Sequence, residues 1–398
     1  LSRTDQEELP YALKSRKTDP IHKVIVLSSR RTEILGTLST HLVVLIVEIA
    51  VLKQRSRMIQ TTIAGSLPKT SWLAEPEKLW AGWRLEGDQL IEGQQDAALC
   101  WLKIQDEAGI DIQSDGEQFR KHFVHGFLEE VDGIDWNLMT TMGIRDNRYD
   151  ASVPTVTSEV RRKKSVHGDS VKFLRKHATQ QLKFTLPGPM TICDTIADNH
   201  YGERSKMAMA FAELLNEEAL ELEALGVDVI QFDEPAFNAF MHLVPEWGVD
   251  CLHRAIQGLK CKTAVHICYG YGIKQNIDWK ETLGDEWRQY EEFFPALNAS
   301  RIDQVSLECA DSHVPLSVMS ELKEKEVLVG AINVATNEIE TPEKVASTLR
   351  AAMEFVDPER LIACTNCGMA PLPRSVAEGK LHALGRGAEI IRKELAAR

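Results

Sequence analysis

Residues 211–233 read FAELLNEEALELEALGVDVIQFD. Apolar residues in the first fifteen recur at i, i+3 and i+4, the period of a helix with one buried face, and Gly226 follows as a helix-ending residue. VDVIQFD is then a short apolar run that closes on an acid, which reads as a buried strand. This helix–strand unit recurs along the chain. Strand-length runs stand at 61–66 (TTIAGS), 110–115 (IDIQSD), 183–187 (KFTLP), 227–233, 263–268 (TAVHIC), 303–308 (DQVSLE), 327–332 (VLVGAI) and 361–366 (LIACTN). Eight strands alternating with helices predict a parallel α/β sheet, and eight is the number that closes a (β/α)8 TIM barrel. The competing fold, an open doubly wound sheet, would usually carry a glycine-rich phosphate loop after its first strand, and none is present. Thr341 and Pro342 supply the N-cap and first position of a helix running through Phe355, and Ser375-Val376-Ala377-Glu378 has the spacing of a capping box for the last helix. The longest gap lies between the second and third strands. There Tyr149 to Val166 reads as an extended hairpin, an excursion from the barrel.

Hydrophobic residues make up 43% and charged ones 26% of the 398 residues, as in a soluble globular protein. A net charge of −13 argues against nucleic acid or an anionic membrane as a partner. The longest apolar run, Leu42 to Leu52, contains Glu48 and falls short of the ~20 residues of a membrane span. Eight cysteines are too sparse for a disulfide scaffold, which favours a reducing, cytoplasmic setting. Met58 directly precedes the first strand. The expected organisation is therefore an N-terminal extension over 1–57, to which no function is assigned, and one barrel over 58–398.

Nearly every strand ends in a residue capable of chemistry: Ser66, Asp115 to Glu117, Asp233, His266, Cys268, Glu308, Asn333 and Cys367. In a barrel these ends share one face, where active sites sit. His266 and Cys268 are one residue apart on a strand, so both side chains take the same face. Glu308 and Cys367 end later strands and could add a carboxylate and a second thiolate. Zn2+ accepts such a mixed set, and thiolates favour it over Mg2+ or Ca2+. On spacing alone the same residues also fit a buried core, and Cys364-Thr365-Asn366-Cys367 also has the spacing of a redox pair.

The pieces TTIAGSLPKT (61–70), DGE (115–117), LPGPMTI (186–192), QFDEPAF (231–237), HICYG (266–270), VSLECADS (305–312) and TNCGM (365–369) occur in this order. Together they resemble the C-terminal catalytic barrel of cobalamin-independent methionine synthases, in a short form without the N-terminal barrel. The resemblance implies a fold of the uroporphyrinogen decarboxylase and methionine synthase type. It also implies zinc-dependent methyl transfer to the thiol of homocysteine, giving methionine. His266, Cys268, Glu308 and Cys367 match the zinc ligands. Ile63, Ser66, Glu117 and Asp233 match the pocket for the amino-acid part of homocysteine or methionine. The methyl donor implied is 5-methyltetrahydropteroyltri-L-glutamate. Asn333, however, stands where the long enzymes have a proton-donating His, and the missing barrel helps to bind the folate tail. Both departures leave methylcobalamin or a methyl group delivered by a partner protein as donors. The alternative functions are methyl transfer to another thiol on the same fold, and a non-catalytic, zinc-stabilised binding barrel.

Overall fold

The computed structural model describes residues 58–397 apart from 79 and 81. The expected extension over 1–57 lies outside the described residues. Eleven strands are present among them: β1 (Gln60–Thr61), β2 (Ile112–Gln113), β3 (Val131–Ile144), β4 (Tyr149–Arg162), β5 (Gln181–Pro187), β6 (Ala197–Asp198), β7 (Val229–Asp233), β8 (Lys262–His266), β9 (Gln304–Glu308), β10 (Glu326–Ile332) and β11 (Leu361–Thr365). Eight of them form one sheet in the order β1-β11-β10-β9-β8-β7-β5-β2, with every pairing parallel. A parallel bridge between Thr62 and Ile112 joins the two ends, and the sheet closes into the expected barrel. All eight strands fall within or beside the runs read from the sequence.

Alternation along each strand sends one set of side chains inward and the other against the helices. Ile112, Val229 and Ala264 make one small cluster and Ala64, Leu328, Ile362 and Cys364 another. Both are separate from the large core under the helices, which holds Phe184, Ile230, Phe232 and Val305. The helix Arg204–Ala224 ends as expected before Gly226, whose φ of 98° is the left-handed geometry that favours glycine. Thr341 accepts from the Lys344 N–H as the N-cap of Pro342–Ala352, a helix three residues shorter than expected. The capping box at Ser375 does not form. That helix starts two residues earlier than such a box would set it, at Arg374, with Pro373 in the cap position and no side-chain cap bond.

The excursion is a three-stranded sheet, β3-β4-β6. The stretch from Tyr149, read above as a whole hairpin, is the single strand β4, and the hairpin is completed by its antiparallel partner β3, which the sequence reading missed. Register shifts between Asp132 and Ile134 and between Asp135 and Thr140 break the alternation that would have marked β3 as a strand. Arg145, Asp146 and Asn147 turn the hairpin with φ between 52° and 63°, three consecutive non-glycine residues in the left-handed region. No helix among the described residues is long and apolar enough to cross a membrane.

Candidate active site

The carboxyl ends of the barrel strands open onto a cavity of about 270 Å³. Ser66, Glu117, Asp233, His266, Cys268 and Cys367 all line it, so six of the nine residues singled out from the sequence meet in one place.

One wall is the thiol–imidazole cluster. The ligand atoms of His266, Cys268 and Cys367 lie within 4.8 Å of one another, and all three residues are buried. The two sulfurs are 2.9 Å apart. The hydrogen bond from Cys367 holds the Cys268 thiol well below the usual thiol range, and His266 adds to this against the opposing effect of burial. His266 Nδ1 lies 2.6 Å from Ser306 Oγ, which fixes the ring. Its Nε2 is buried with no nitrogen or oxygen partner and turns to the Cys268 thiol instead. A buried imidazole and two buried thiols that converge on one point are suitable as a ligand set. The cluster therefore fits a thiophilic metal ion.

Glu308 does not join this set. Its Oε1 accepts from Lys280 Nζ at 2.5 Å and its Oε2 from the Tyr269 N–H at 3.1 Å, and it is not among the cavity residues. Lys280 lies in the long β8–β9 connection, and nothing in the spacing of the strands signals it.

Beside this cluster the cavity carries two carboxylates, and Asp233 on β7 is paired in register with His266 on β8. Burial pushes Asp233 up to about 7, with the neighbouring Glu117 adding to the rise. Glu117 is also raised by burial, and Arg120 and Lys69 oppose that shift. Glu117 has φ of 62°, strain tolerated because Asp115 accepts its N–H at 2.9 Å and Lys69 Nζ donates to its carbonyl at 2.7 Å. A Cβ at Gly65 would meet Glu117 Oε1 at 2.9 Å, so a side chain there would displace that carboxylate. Ser66 Oγ also lines the cavity and donates to Tyr271 Oη at 3.3 Å. Ile63 is placed differently from the expectation. Its side chain packs in the core, and the cavity wall begins at Ala64.

Asn333 also stays outside the cavity. Its Nδ2 donates to Asp311 Oδ2 at 3.2 Å and its Oδ1 accepts from the Ala335 N–H at 2.8 Å.

The sequence reading missed the far wall, made by Trp80, His122, His125 and hairpin residues from Ile144 to Val153. His122 stacks on Trp80 with centroids 4.2 Å apart. Burial holds His122 well below the ordinary histidine range and lowers His125 as well. Arg145 pairs with Asp194, whereas Arg148 lies over the Trp279 ring. These groups are brought in by the hairpin and by an irregular segment, so no strand-end rule points to them.

A parallel barrel with two thiols, an imidazole and paired carboxylates on its C-terminal rim defines a class, the thiol-directed methyltransferase barrels. Residues 58–389 match the model of the cobalamin-independent synthase catalytic domain, and the chain belongs to that family. Its activity is that of a methionine synthase, a homocysteine S-methyltransferase. A methionine synthase of Sulfolobus acidocaldarius is 31% identical over 341 residues, covering 85% of this chain and 94% of the relative. The structure of a B12-independent methionine synthase from Shewanella sp. W3-18-1, in complex with selenomethionine, is 60% identical with a TM-score of 0.84. That match covers 86% of this chain and 100% of the other. A methyltransferase from Methanosarcina mazei shares the fold at 11% identity and a TM-score of 0.54, covering 85% and 94% of the two chains.

Proposed function

We propose that this barrel transfers a methyl group to homocysteine held by a zinc site and by the carboxylate pair beside it in the same cavity. The observation that carries the reading is the buried convergence of His266, Cys268 and Cys367, their ligand atoms within 4.8 Å of one another, in the same cavity as Asp233 and Glu117. His266, Cys268 and Cys367 would hold the ion, with Glu308 as the fourth ligand once Lys280 yields one carboxylate oxygen. Bound zinc would supply the Lewis acidity that keeps a thiol deprotonated at neutral pH. Asp233 and Glu117 take the α-ammonium, and Ser66 with the backbone at Ala64 and Gly65 takes the α-carboxylate. A selenomethionine complex of the Shewanella relative supports an amino-acid pocket of this kind. Eight free cysteines agree with a reducing, cytoplasmic setting. Thermal shift with homocysteine before and after chelation tests the reading. A shift that needs metal supports it, and a shift that survives chelation unchanged points to a metal-independent binding barrel.

A second reading concerns the methyl donor, and the placement of Asn333 favours it. Methylfolate departs as a poor anion unless its nitrogen is protonated. Asn333 carries no acidic proton and faces Asp311 outside the cavity, and His122 and His125 are held neutral at pH 7. We infer a donor whose leaving group departs without a proton, methylcobalamin or a methyl carrier protein, in preference to 5-methyltetrahydropteroyltri-L-glutamate. Methionine formation assayed with each donor separates them. Efficient turnover on methylfolate, unimproved by Asn333→His, would rule this reading out.

A further inference from the structure

Beneath the cavity floor, Lys183 on β5 is 1% exposed and points into the barrel. Its ammonium donates to the Ile63 carbonyl and to Gln231 Oε1, the latter at 2.8 Å. Both partners are neutral, and Lys183 forms no ion pair among the described residues. A cation buried with neutral partners alone lowers the stability of a fold. Barrel interiors are ordinarily filled by branched apolar side chains. Packing therefore does not account for this lysine.

Its hydrogen-bond chemistry does. An ammonium only donates, so the Gln231 amide must turn Oε1 towards it, which sends Nε2 the other way. Nε2 then donates to Asp233 Oδ1 at 2.7 Å and to the Ala64 carbonyl. Reversing the amide would set Oε1 against the Asp233 carboxylate and the NH2 group against the ammonium, two repulsions at once. Lys183 thus fixes one oxygen of Asp233 and leaves the other for the cavity. Through the Ile63 and Ala64 carbonyls it also pins the backbone that leads into Ser66. Lys183 itself does not line the cavity.

We propose that Lys183, acting through Gln231, is a positioning residue for the amino-acid end of the substrate. It orients the Asp233 carboxylate and the Ile63–Ser66 turn without touching the ligand. This rests on the reading above that Asp233 and Ser66 hold homocysteine.

The test is Lys183→Met, which keeps the apolar stem and removes the charge. Homocysteine KM should rise on the order of tenfold, with kcat within about twofold and zinc content unchanged. A residue that only supports the fold would lower the melting temperature without this split between KM and kcat. Gln231→Met should raise KM similarly. Adding Lys183→Met to it should raise KM no further, since the two act in series. Should Lys183→Met fail to fold, Gln231→Met carries the test alone. An unchanged KM in either single variant, or multiplying effects in the double variant, would overturn the proposal. Asp233→Asn run alongside separates the two levels. If it leaves KM unchanged, the pocket assignment itself has failed; if it raises KM while Lys183→Met does not, only the relay has.

Discussion

Cys268 and Cys367 place their sulfurs 2.9 Å apart although 99 residues separate them. They follow β8 and β11, which are three strand positions apart in the sheet. On a flat sheet that separation would be ~14 Å, at the usual strand spacing of about 4.8 Å. Closure of the barrel and inward direction of both side chains bring them together, so the site exists only because the sheet is a ring. The fold and the chemistry are one statement at this point.

Asp233→Asn keeps the shape of the site and removes one charge from the ammonium contact. Homocysteine KM should rise by an amount equivalent to on the order of 2–5 kcal/mol, with zinc content unchanged. Loss of zinc with unaltered KM would show that the carboxylate serves the metal instead.

Acidity should act through the same residue. Asp233 is pushed up to about 7 by burial, from an ordinary value of 3.8. In the empty protein this contribution to stability is complete below about pH 4 and is lost as pH rises through about 7. Binding runs the other way, since an ammonium ligand requires the ionised carboxylate. Homocysteine KM should therefore fall between pH 6 and pH 8, and Asp233→Asn should flatten the profile. Equal KM at the two pH values in the unmodified enzyme would contradict this.

Lys280 competes with any cation for Glu308, because its ammonium occupies Oε1 at 2.5 Å. Lys280→Met should slow the loss of zinc to a chelator, by roughly the factor of ten that 1.4 kcal/mol represents. Lys280→Arg should behave like the unmodified protein. Faster loss in Lys280→Met would mean that the lysine orients Glu308 towards the ion.

A fold-level prediction concerns Gly385 on the last helix. A Cβ there would meet the Ala108 carbonyl oxygen at 1.7 Å, at the end of the helix Gly87–Ala108. Gly385→Ala should lower stability by about 1–3 kcal/mol in chemical denaturation, since backbone cannot give way as a side chain does. Retained stability would show that the two helices can separate at little cost.

The eight barrel strands were legible because each is a short apolar run bounded by helix signals, and their chemistry was legible because polar residues fall at one end of each run. Glu308 was legible as a strand-end carboxylate, but its lysine partner was not, since Lys280 arrives on a long connection. The same holds for β3, whose bulges erase the alternation, and for the wall of His122, His125 and the hairpin turn. Ser375 shows the converse: a local capping pattern is present, yet Pro373 already caps the helix two residues earlier. Local periodicity reports which face a residue takes, whereas tertiary partners decide what that residue meets there.

The central claim is that His266, Cys268 and Cys367 hold the ion on which methyl transfer depends. Zinc per chain, measured beside methionine formation in the unmodified protein and in Cys367→Ala, tests it most directly. One zinc per chain in the unmodified protein, with zinc and activity lost together in Cys367→Ala, is the result predicted. Full methionine formation by Cys367→Ala, or by protein stripped of zinc, would contradict it.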